Sequence, residues 1–525
     1  MRFFNTAGPV KPELHYCLPP LERFSLSELL SLIDQMKYFV LHAPRQTGKT
    51  SALLALMEYL NREGKYKAVY FNVEVGQTAR ENVNEGIRAV LSHMGHRARL
   101  HLKDTFPEDI WYDVLMKSGG NEALRYVISL WAEKSDKPLV LLIDEVDSLI
   151  GDTLISVLRQ IRSGYDNRPS SFPQSIILCG VRDVRDYRIH SDREKTVITG
   201  GSAFNIKAKS LKLGDFTKQE VSMLYHRHTE ETGQKFSDDA FDAVWEYTEG
   251  QPWLVNALGY EACFEIQENL NRSEIITREM ISQAAEAIIL RRETHLDQLA
   301  DKLKEERVRK VIGPVLAGED GLKDAQDDDI WYVRDLGLIK IEGNVRIANR
   351  IYQEIIPRSL TYTTQIGITH ETLWYVKKDG SLDMDKLLAA FQDFFRKHSD
   401  ERSKNMQYKE ASAQLLMQAF LARIVNSGGR IYREYGLGRK RTDLLTVWHY
   451  GEKVQQVVIE LKIRYMTTEK TIKEGLPQLF EYMDKCGADQ GHLVVFDRRK
   501  SISWTKKIFR RQKQYKGRKI TVWGM

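Results

Sequence analysis

The sequence predicts an α/β fold in two parts: a parallel sheet wound with helices about a phosphate-cradling loop, and a second, smaller α/β unit at the carboxyl end. Three observations carry that expectation. Residues 43–50 read Ala-Pro-Arg-Gln-Thr-Gly-Lys-Thr between an apolar run and an amphipathic one. The run Pro138-Leu139-Val140-Leu141-Leu142-Ile143 is apolar and ends in Asp144 and Glu145. Near the carboxyl end, Asp443 precedes Glu460-Leu461-Lys462 in a part of the chain that is far more basic than the rest.

The first element is the loop. Tyr38-Phe39-Val40-Leu41-His42 is short and apolar, as a buried strand is, and from Lys49 onward Ser-Ala-Leu-Leu-Ala-Leu-Met-Glu-Tyr-Leu reads as an amphipathic helix. A strand, a tight loop and a helix N-terminus aim several backbone N–H groups at one point, where the helix dipole adds partial positive charge. Ala43, Arg45, Gln46, Thr47, Gly48, Lys49, Thr50 and Ser51 therefore make an anion site of the P-loop pattern. Gly48 lets the backbone close on phosphates, Lys49 reaches the terminal phosphates, and the Thr50 hydroxyl is placed to hold Mg²⁺. Ala43 stands where the strictest form of the motif has Gly.

The second element is the strand that ends in acid. Asp144 is expected to take Mg²⁺ through water, and Glu145 to orient and deprotonate the attacking water. Two more apolar runs, Ala68 to Val73 and Ser175 to Gly180, complete the core of a parallel sheet. Arg182 follows the last of these and is expected at the sheet's carboxyl edge, where ligands bind. Arg182 or Arg185 is then a candidate sensor of the terminal phosphate or an arginine finger, with a surface salt bridge as the equal alternative.

Length bounds the rest. At 525 residues, with 42% hydrophobic and 29% charged residues, the chain has the composition of an ordinary soluble protein of three or four domains. No apolar run approaches a membrane span and the first residues are too polar for a signal peptide, so a cytoplasmic location is expected. Cys17, Cys179, Cys263 and Cys486 lie far apart, which argues against a zinc knuckle or a disulfide framework.

Between the two ends, Ser25-Leu26-Ser27-Glu28 is a capping box opening the first helix, after His15-Tyr16-Cys17-Leu18-Pro19-Pro20, whose rings suit a nucleotide base and core packing equally. The sheet and loop occupy residues 1–215, and 216–295 read as helices interrupted by Glu249-Gly250-Gln251-Pro252-Trp253. That Gly-x-Pro element resembles the helical lid of signal-transducing STAND ATPases and of origin-recognition-like AAA proteins, and a plain helix boundary explains it as well. Residues 296–360 give helices and then two short strands about Glu342-Gly343-Asn344, a winged-helix pattern that either binds DNA or packs on a neighbour. Residues 361–395 read as a connector.

Residues 396–525 hold 28 Lys and Arg against 13 Asp and Glu, a net +15, while the rest of the chain carries −9. Such a region suits a polyanion. Arg498 to Lys519 brings eleven basic residues and no acidic one, with Trp504, Phe509 and Tyr515 interleaved for base stacking. Gln407 to Asn426 is expected to be a helix, followed by strands at Arg430 to Tyr435, Thr442 to Trp448 and Val457 to Ile463. Period-two geometry puts Glu460 and Lys462 on one face of the last strand, and an antiparallel turn at Tyr450-Gly451-Glu452 brings Asp443 opposite Glu460. Hard oxygen ligands at a strand edge suit Mg²⁺ or Mn²⁺. The arrangement, with Gln478-Leu479-Phe480-Glu481-Tyr482 on the next helix, resembles the PD-(D/E)XK nuclease fold and its RecB-like branch. The resemblance implies Asp443 and Glu460 as metal ligands, Lys462 as catalytic, Gln478 and Tyr482 as supports, and Glu410 as the acid of the first helix. Thr442 replaces the family's Pro.

Taken whole, the chain resembles prokaryotic fusions of a STAND- or AAA-like P-loop ATPase with a PD-(D/E)XK nuclease. That resemblance implies ATP and Mg²⁺ (or Mn²⁺) as cofactors at both sites, DNA as partner with RNA left open, a homo-oligomer, and no membrane. The expected activity is ATP-dependent or ATP-regulated cleavage of DNA. The rival expectation is a STAND-type signalling switch whose carboxyl-terminal domain is a non-cutting nucleic-acid or protein adaptor.

Overall fold

In a computed structural model the chain divides into two units, Met1–Gln298 with Gln326–Tyr352, and Leu299–Ala325 with Gln353–Met525. The structure describes residues 1–183, 188–191, 196–199, 204–291, 301–316, 325–356, 375–402, 417, 420–421, 430–437, 440–451, 453–488, 490–497, 499 and 502–525.

The first unit opens with a two-residue parallel pair, β1 (Phe3–Phe4) and β2 (His15–Tyr16), and a helix, α1 (Leu26–Asp34). Ser25 caps α1 by accepting from the Glu28 amide, one half of the expected capping box. The sheet then runs β3 (Tyr38–His42), β4 (Lys67–Asn72), β5 (Leu139–Asp144), β6 (Ser175–Gly180) and β9 (Lys207–Lys212), with a hairpin of β7 (Arg188–Ser191) and β8 (Thr196–Thr199) between the last two. Its spatial order is β4-β5-β6-β3-β9, all parallel. Parallel strands need crossovers, and those that join β3, β4, β5 and β6 are helical: α2 (Lys49–Glu63), α3 (Val83–Leu102), α4 (Phe106–Ser118), α5 (Ala123–Lys134) and α6 (Gly151–Ser163).

Alternation sorts the strand side chains to two faces. Tyr38, Val40, Val69, Phe71, Leu141 and Ile143 pack with Leu91, Trp131 and Leu158 of α3, α5 and α6. Phe39, Leu41, Ala68, Val140 and Leu142 pack with Ile33 of α1 and with Leu53 and Leu56 of α2. Both faces are thus covered, which is why these strands read as unbroken apolar runs. Each such Leu or Ile contributes roughly 1.5–3 kcal/mol by leaving water. Strand β9 departs from that pattern, because Lys207, Lys209 and Lys212 interrupt it.

Beyond the sheet, α7 (Lys218–Thr232) starts on a reciprocal capping box of Thr217 and Glu220, and α8 (Asp238–Thr248), α9 (Pro252–Tyr260) and α10 (Arg278–Arg291) complete the helical segment. Gly250 turns the chain between α8 and α9 at φ +80°, where a Cβ would lie 1.9 Å from the Phe216 carbonyl oxygen. Helix α12 (Asp327–Asp335) and the hairpin β10 (Ile339–Glu342) to β11 (Asn344–Ile347) follow in the same unit. Glu249 binds this hairpin through Arg346 at 2.6 Å and Lys340 at 3.3 Å. Gly337 approaches the loop so closely that a Cβ there would sit 2.9 Å from Pro44.

The second unit holds α11 (Glu306–Leu316), α13 (Met384–Arg402), and a six-stranded sheet of β12 (Arg430–Leu437), β13 (Lys440–Tyr450), β14 (Lys453–Ile463), β15 (Gln490–Phe496), β16 (Phe509–Tyr515) and β17 (Arg518–Gly524). Its order is β12-β13-β14-β15-β17-β16. The first three strands are antiparallel neighbours, and α14 (Thr468–Cys486) carries the chain across to β15, parallel to β14. Helix α13 covers one face with Leu387, Leu388 and Phe391 against Leu444, Ile459 and Leu461. Helix α14 covers the other with Leu479, Tyr482 and Met483 against Leu445, Val458 and Val495. Helix α13 begins inside the stretch expected as a connector and extends past it. Of the expected helix from Gln407 to Asn426, only residues 417 and 420–421 are described. Among the described residues, no helix is long and apolar enough to cross a membrane.

Candidate functional site

Strand β3 delivers Ala43 to the carboxyl edge of the sheet, and the loop after it turns through two left-handed residues, Gln46 at φ 58° and Gly48 at φ 90°, before α2 begins at Lys49. Gly48 is the inexpensive residue for that backbone, and a Cβ there would lie 2.9 Å from the Arg23 guanidinium. Thr47 ties the loop to itself, its hydroxyl donating to the Pro44 carbonyl at 2.8 Å. The Lys49 ammonium lies across the loop and donates to the carbonyls of Ala43 and Pro44, 3.0 Å each. Arg45 and Gln46 are exposed at the loop's tip, and the Ser51 hydroxyl accepts from the Val10 amide at 3.0 Å.

Strand β5 ends beside the loop with β6 inserted between it and β3. Its last residue, Asp144, is fully buried, yet it accepts from Thr50 Oγ1 at 2.7 Å, from the Tyr70 hydroxyl at 3.1 Å and from the Glu145 amide at 2.9 Å. A threonine hydroxyl and a carboxylate in contact at the mouth of an amide-lined loop are the hard oxygen set that suits Mg²⁺ beside phosphate. Glu145 has a left-handed backbone at φ 56°, and burial, then the neighbouring Asp147, push its carboxyl above the usual range, with Lys49 opposing. Arg182 follows β6 with its guanidinium 4.8 Å from the Tyr332 ring of α12. Arg185 lies outside the described residues.

The sequence left one participant unmarked. Arg23 donates to the Thr47 carbonyl at 2.5 Å and to the Gly214 carbonyl at 2.6 Å, bridging the loop and the chain leading to α7. Its guanidinium lies 4.6 Å from the Phe216 ring, and burial lowers its pKa to about 10. An arginine between Glu22 and Phe24 in an unremarkable turn carries no motif that would single it out. Beside it opens a cleft of ≈130 Å³ walled by Gly48, Ser51, Phe216, Pro252, Trp253 and Asn256. The Gly-x-Pro element thus reaches the loop, and Tyr16, Cys17 and Leu18 line the same cleft.

The second constellation is on β14 and α14. Glu460 is 1% exposed. Lys462, two residues on and on the same face, donates to Glu460 Oε1 at 2.8 Å and to Gln478 Oε1 at 2.9 Å. An ammonium only donates, so it fixes the Gln478 amide with oxygen inward, and the amide nitrogen then donates to the Tyr482 hydroxyl at 3.0 Å. Gln478 and Tyr482 are one helical turn apart and share a face of α14. The β13–β14 ladder runs to Leu444 opposite Ile459, one position short of Asp443 and Glu460. Glu410 lies outside the described residues. Among the described residues, no three His, Cys, Asp or Glu gather as a ready metal cluster. The basic run forms the β16–β17 hairpin at the sheet edge, exposing Arg510 and Arg511.

Comparison with known proteins bears on the first unit. The Walker-type ATPase PABY2304 of Pyrococcus abyssi is similar at 15% identity over 67% of this chain and 99% of its own, with a TM-score of 0.46. Cdc6p from Pyrobaculum aerophilum (16% identity, 65% and 93% covered, TM-score 0.34) and the Thermotoga maritima RuvB Holliday junction branch migration motor (11%, 64% and 93%, 0.34) are more loosely alike. Among curated proteins none matches. The family model of the AAA-like domain matches residues 31–356, a span that takes in the loop, the Asp144 strand, the helices α7 to α10 and the β10–β11 hairpin. The chain has a P-loop ATPase-like fold and belongs to the AAA-like domain family.

Proposed function

We propose that this chain is an ATP-dependent or ATP-regulated, metal-dependent nuclease that hydrolyses phosphodiester bonds in DNA. One observation carries the second half of that reading: Glu460, Lys462, Gln478 and Tyr482 form an unbroken hydrogen-bonded chain, and Asp443 lies one residue before Leu444, which pairs with Ile459 beside Glu460. Burying a carboxylate with a lysine rarely adds stability over a packed apolar pair, so such a site is a candidate for function. Two antiparallel strand pairs and a helical crossover to a parallel strand also match the topology expected of a PD-(D/E)XK domain.

On this reading Asp443 and Glu460 hold Mg²⁺ or Mn²⁺, which when bound polarises the scissile phosphate and acidifies a water. Lys462, held between Glu460 and Gln478, aims a positive charge at the charge developing on phosphorus. Tyr482 keeps Gln478 in place from below, and the basic β16–β17 hairpin neutralises the nucleic-acid backbone. In the first unit, Lys49 and the loop amides bind the ATP phosphates, Thr50 and Asp144 face Mg²⁺, and Glu145 takes the proton of the attacking water. Arg182 then serves as the phosphate sensor, and the β10–β11 segment as the winged helix that transmits nucleotide state.

The test is cleavage of plasmid and oligonucleotide DNA with Mg²⁺. Glu460→Ala and Lys462→Ala are expected to reduce it by roughly 10²-fold or more. Parent-like cutting by both variants rules out this centre, and ATP turnover retained in both shows that the loss is local.

A further inference from the structure

We propose that Tyr465 and Met466 form a stacking platform for a DNA base beside the Glu460 and Lys462 centre, so that the strand presented for cutting is unpaired there; the inference rests on the reading of that centre as a nuclease. Both residues lie in the turn of residues 464–467 that joins β14 to α14. Those two elements carry the whole hydrogen-bonded chain, Glu460 and Lys462 on β14, Gln478 and Tyr482 on α14. Tyr465 follows Lys462 by three residues. That is at most about 10 Å of extended chain, or roughly three nucleotides of strand rise.

Tyr465 is 68% exposed and Met466 63%, and Ile463 at the end of β14 is exposed as well. Single apolar side chains on a surface are ordinary, whereas adjacent large ones standing in water mark a contact site. The turn that displays them is pinned on both sides. The Arg464 amide donates to the Phe496 carbonyl at 2.9 Å, the Tyr465 amide donates to Thr471 Oγ1 at 3.1 Å, and Thr467 caps α14 by accepting from the Lys470 amide at 3.2 Å. A ring held on a fixed frame stacks on a base with little ordering cost. The surrounding charge says what covers it. Lys470 lies against both side chains, its ammonium 3.2 Å from Met466 Sδ and 5.8 Å from the centre of the Tyr465 ring. The neighbouring Glu469 is paired with Arg511 of the basic β16–β17 hairpin at 2.5 Å. The hairpin therefore reaches the first turn of α14, and a phosphate backbone lying along it arrives at Lys470 and the Tyr465 ring. Paired bases have no free face to offer, so an unpaired one is the occupant that uses both the cations and the ring.

Binding to the full chain, measured by fluorescence anisotropy without divalent metal so that nothing is cut, tests this with oligothymidylate, an abasic strand of the same length and charge, and a duplex. Oligothymidylate is expected to bind the parent about 10-fold or more tightly than the abasic strand. Tyr465→Ala should lose that advantage while its duplex affinity stays within about twofold of the parent's, and Tyr465→Phe, which keeps the ring, should retain it. The ratio between parent and Tyr465→Ala should persist as salt rises, since stacking releases no counterion. Equal affinity of the parent for the thymidylate and abasic strands, a parent-like preference in Tyr465→Ala, or a loss in that variant that extends to the duplex overturns the assignment. Self-association that Tyr465→Ala abolishes while oligonucleotide binding is unchanged overturns it as well, and places a second copy of the chain on the turn. A parent that shows the base preference yet leaves every strand intact once Mg²⁺ is added upholds the platform and contradicts only the nuclease reading.

Discussion

Glu145 is the residue at which nucleotide turnover should be most sensitive to protons. A general base works ionised, and burial beside Asp147 holds this carboxyl above the ordinary glutamate value of 4.5. The acid limb of the ATP turnover rate is therefore expected above that value. Glu145→Gln should bind ATP yet turn it over about 10²–10⁴-fold more slowly, with the limb gone, as a rate–pH profile would show. His492 gives a second residue-scale prediction. It is buried on β15, accepts from Trp523 Nε1 at 3.2 Å, and burial, then the charge of Arg510, lower its pKa to about 3. The unfolded chain takes up this proton near 6.5 and the folded one only near 3, so the neutral imidazole favours folding above about 6.5 and that advantage is lost as pH falls. Denaturant unfolding should show roughly 2 kcal/mol less stability at pH 5 than at pH 7 from this group, and His492→Leu should remove that increment. An unchanged pH dependence in the variant contradicts the assignment.

Residues that belong to a motif were legible in the sequence, because spacing alone constrains them: Lys49 after a strand, Asp144 at the end of another, Glu460 and Lys462 two apart. Arg23 was not, since its place at the loop comes from contacts with Thr47 and Gly214 that depend on the folded chain.

At the scale of elements, the turn between α8 and α9 is tightly constrained at Gly250. A Cβ on Gly250 would collide with main chain, which cannot swing aside as a long side chain can. Gly250→Ala is expected to destabilise the first unit by about 1–3 kcal/mol and to weaken ATP binding through Pro252 and Trp253, measured by thermal unfolding with and without ATP. A variant with parent-like melting and affinity contradicts this. Buried strands were readable for a physical reason, since β3, β5 and β6 are covered on both faces and leave continuous apolar runs. Strand β9 was missed because its three lysines leave no apolar run, and Lys207 is retained there in a buried pair with Asp183. Helix α13 was hidden by the Lys378-Asp379-Gly380-Ser381 turn just before it, which reads as linker although Met384, Leu387, Leu388 and Phe391 follow at helical spacing.

For the whole molecule, charge separates the two proposed tasks: −9 over residues 1–395 and +15 over 396–525. On the proposed reading, nucleic acid is attracted to the part of the chain that carries Glu460 and Lys462, and nucleotide to the loop that carries Lys49. The two motifs fall in different units, Lys49 and Asp144 in the first and Glu460 and Lys462 in the second. The assignment of the β10–β11 hairpin to the first unit was not visible in the sequence, because the pairs that hold it there join residues almost a hundred positions apart. The most direct measurement is a time course of DNA cleavage by the full chain with Mg²⁺, with and without ATP, beside Lys49→Ala and Glu460→Ala. The account predicts ATP-responsive cutting by the parent, cutting without that response in Lys49→Ala, and none in Glu460→Ala. Intact DNA in every parent reaction, or equal cutting by Glu460→Ala, contradicts it.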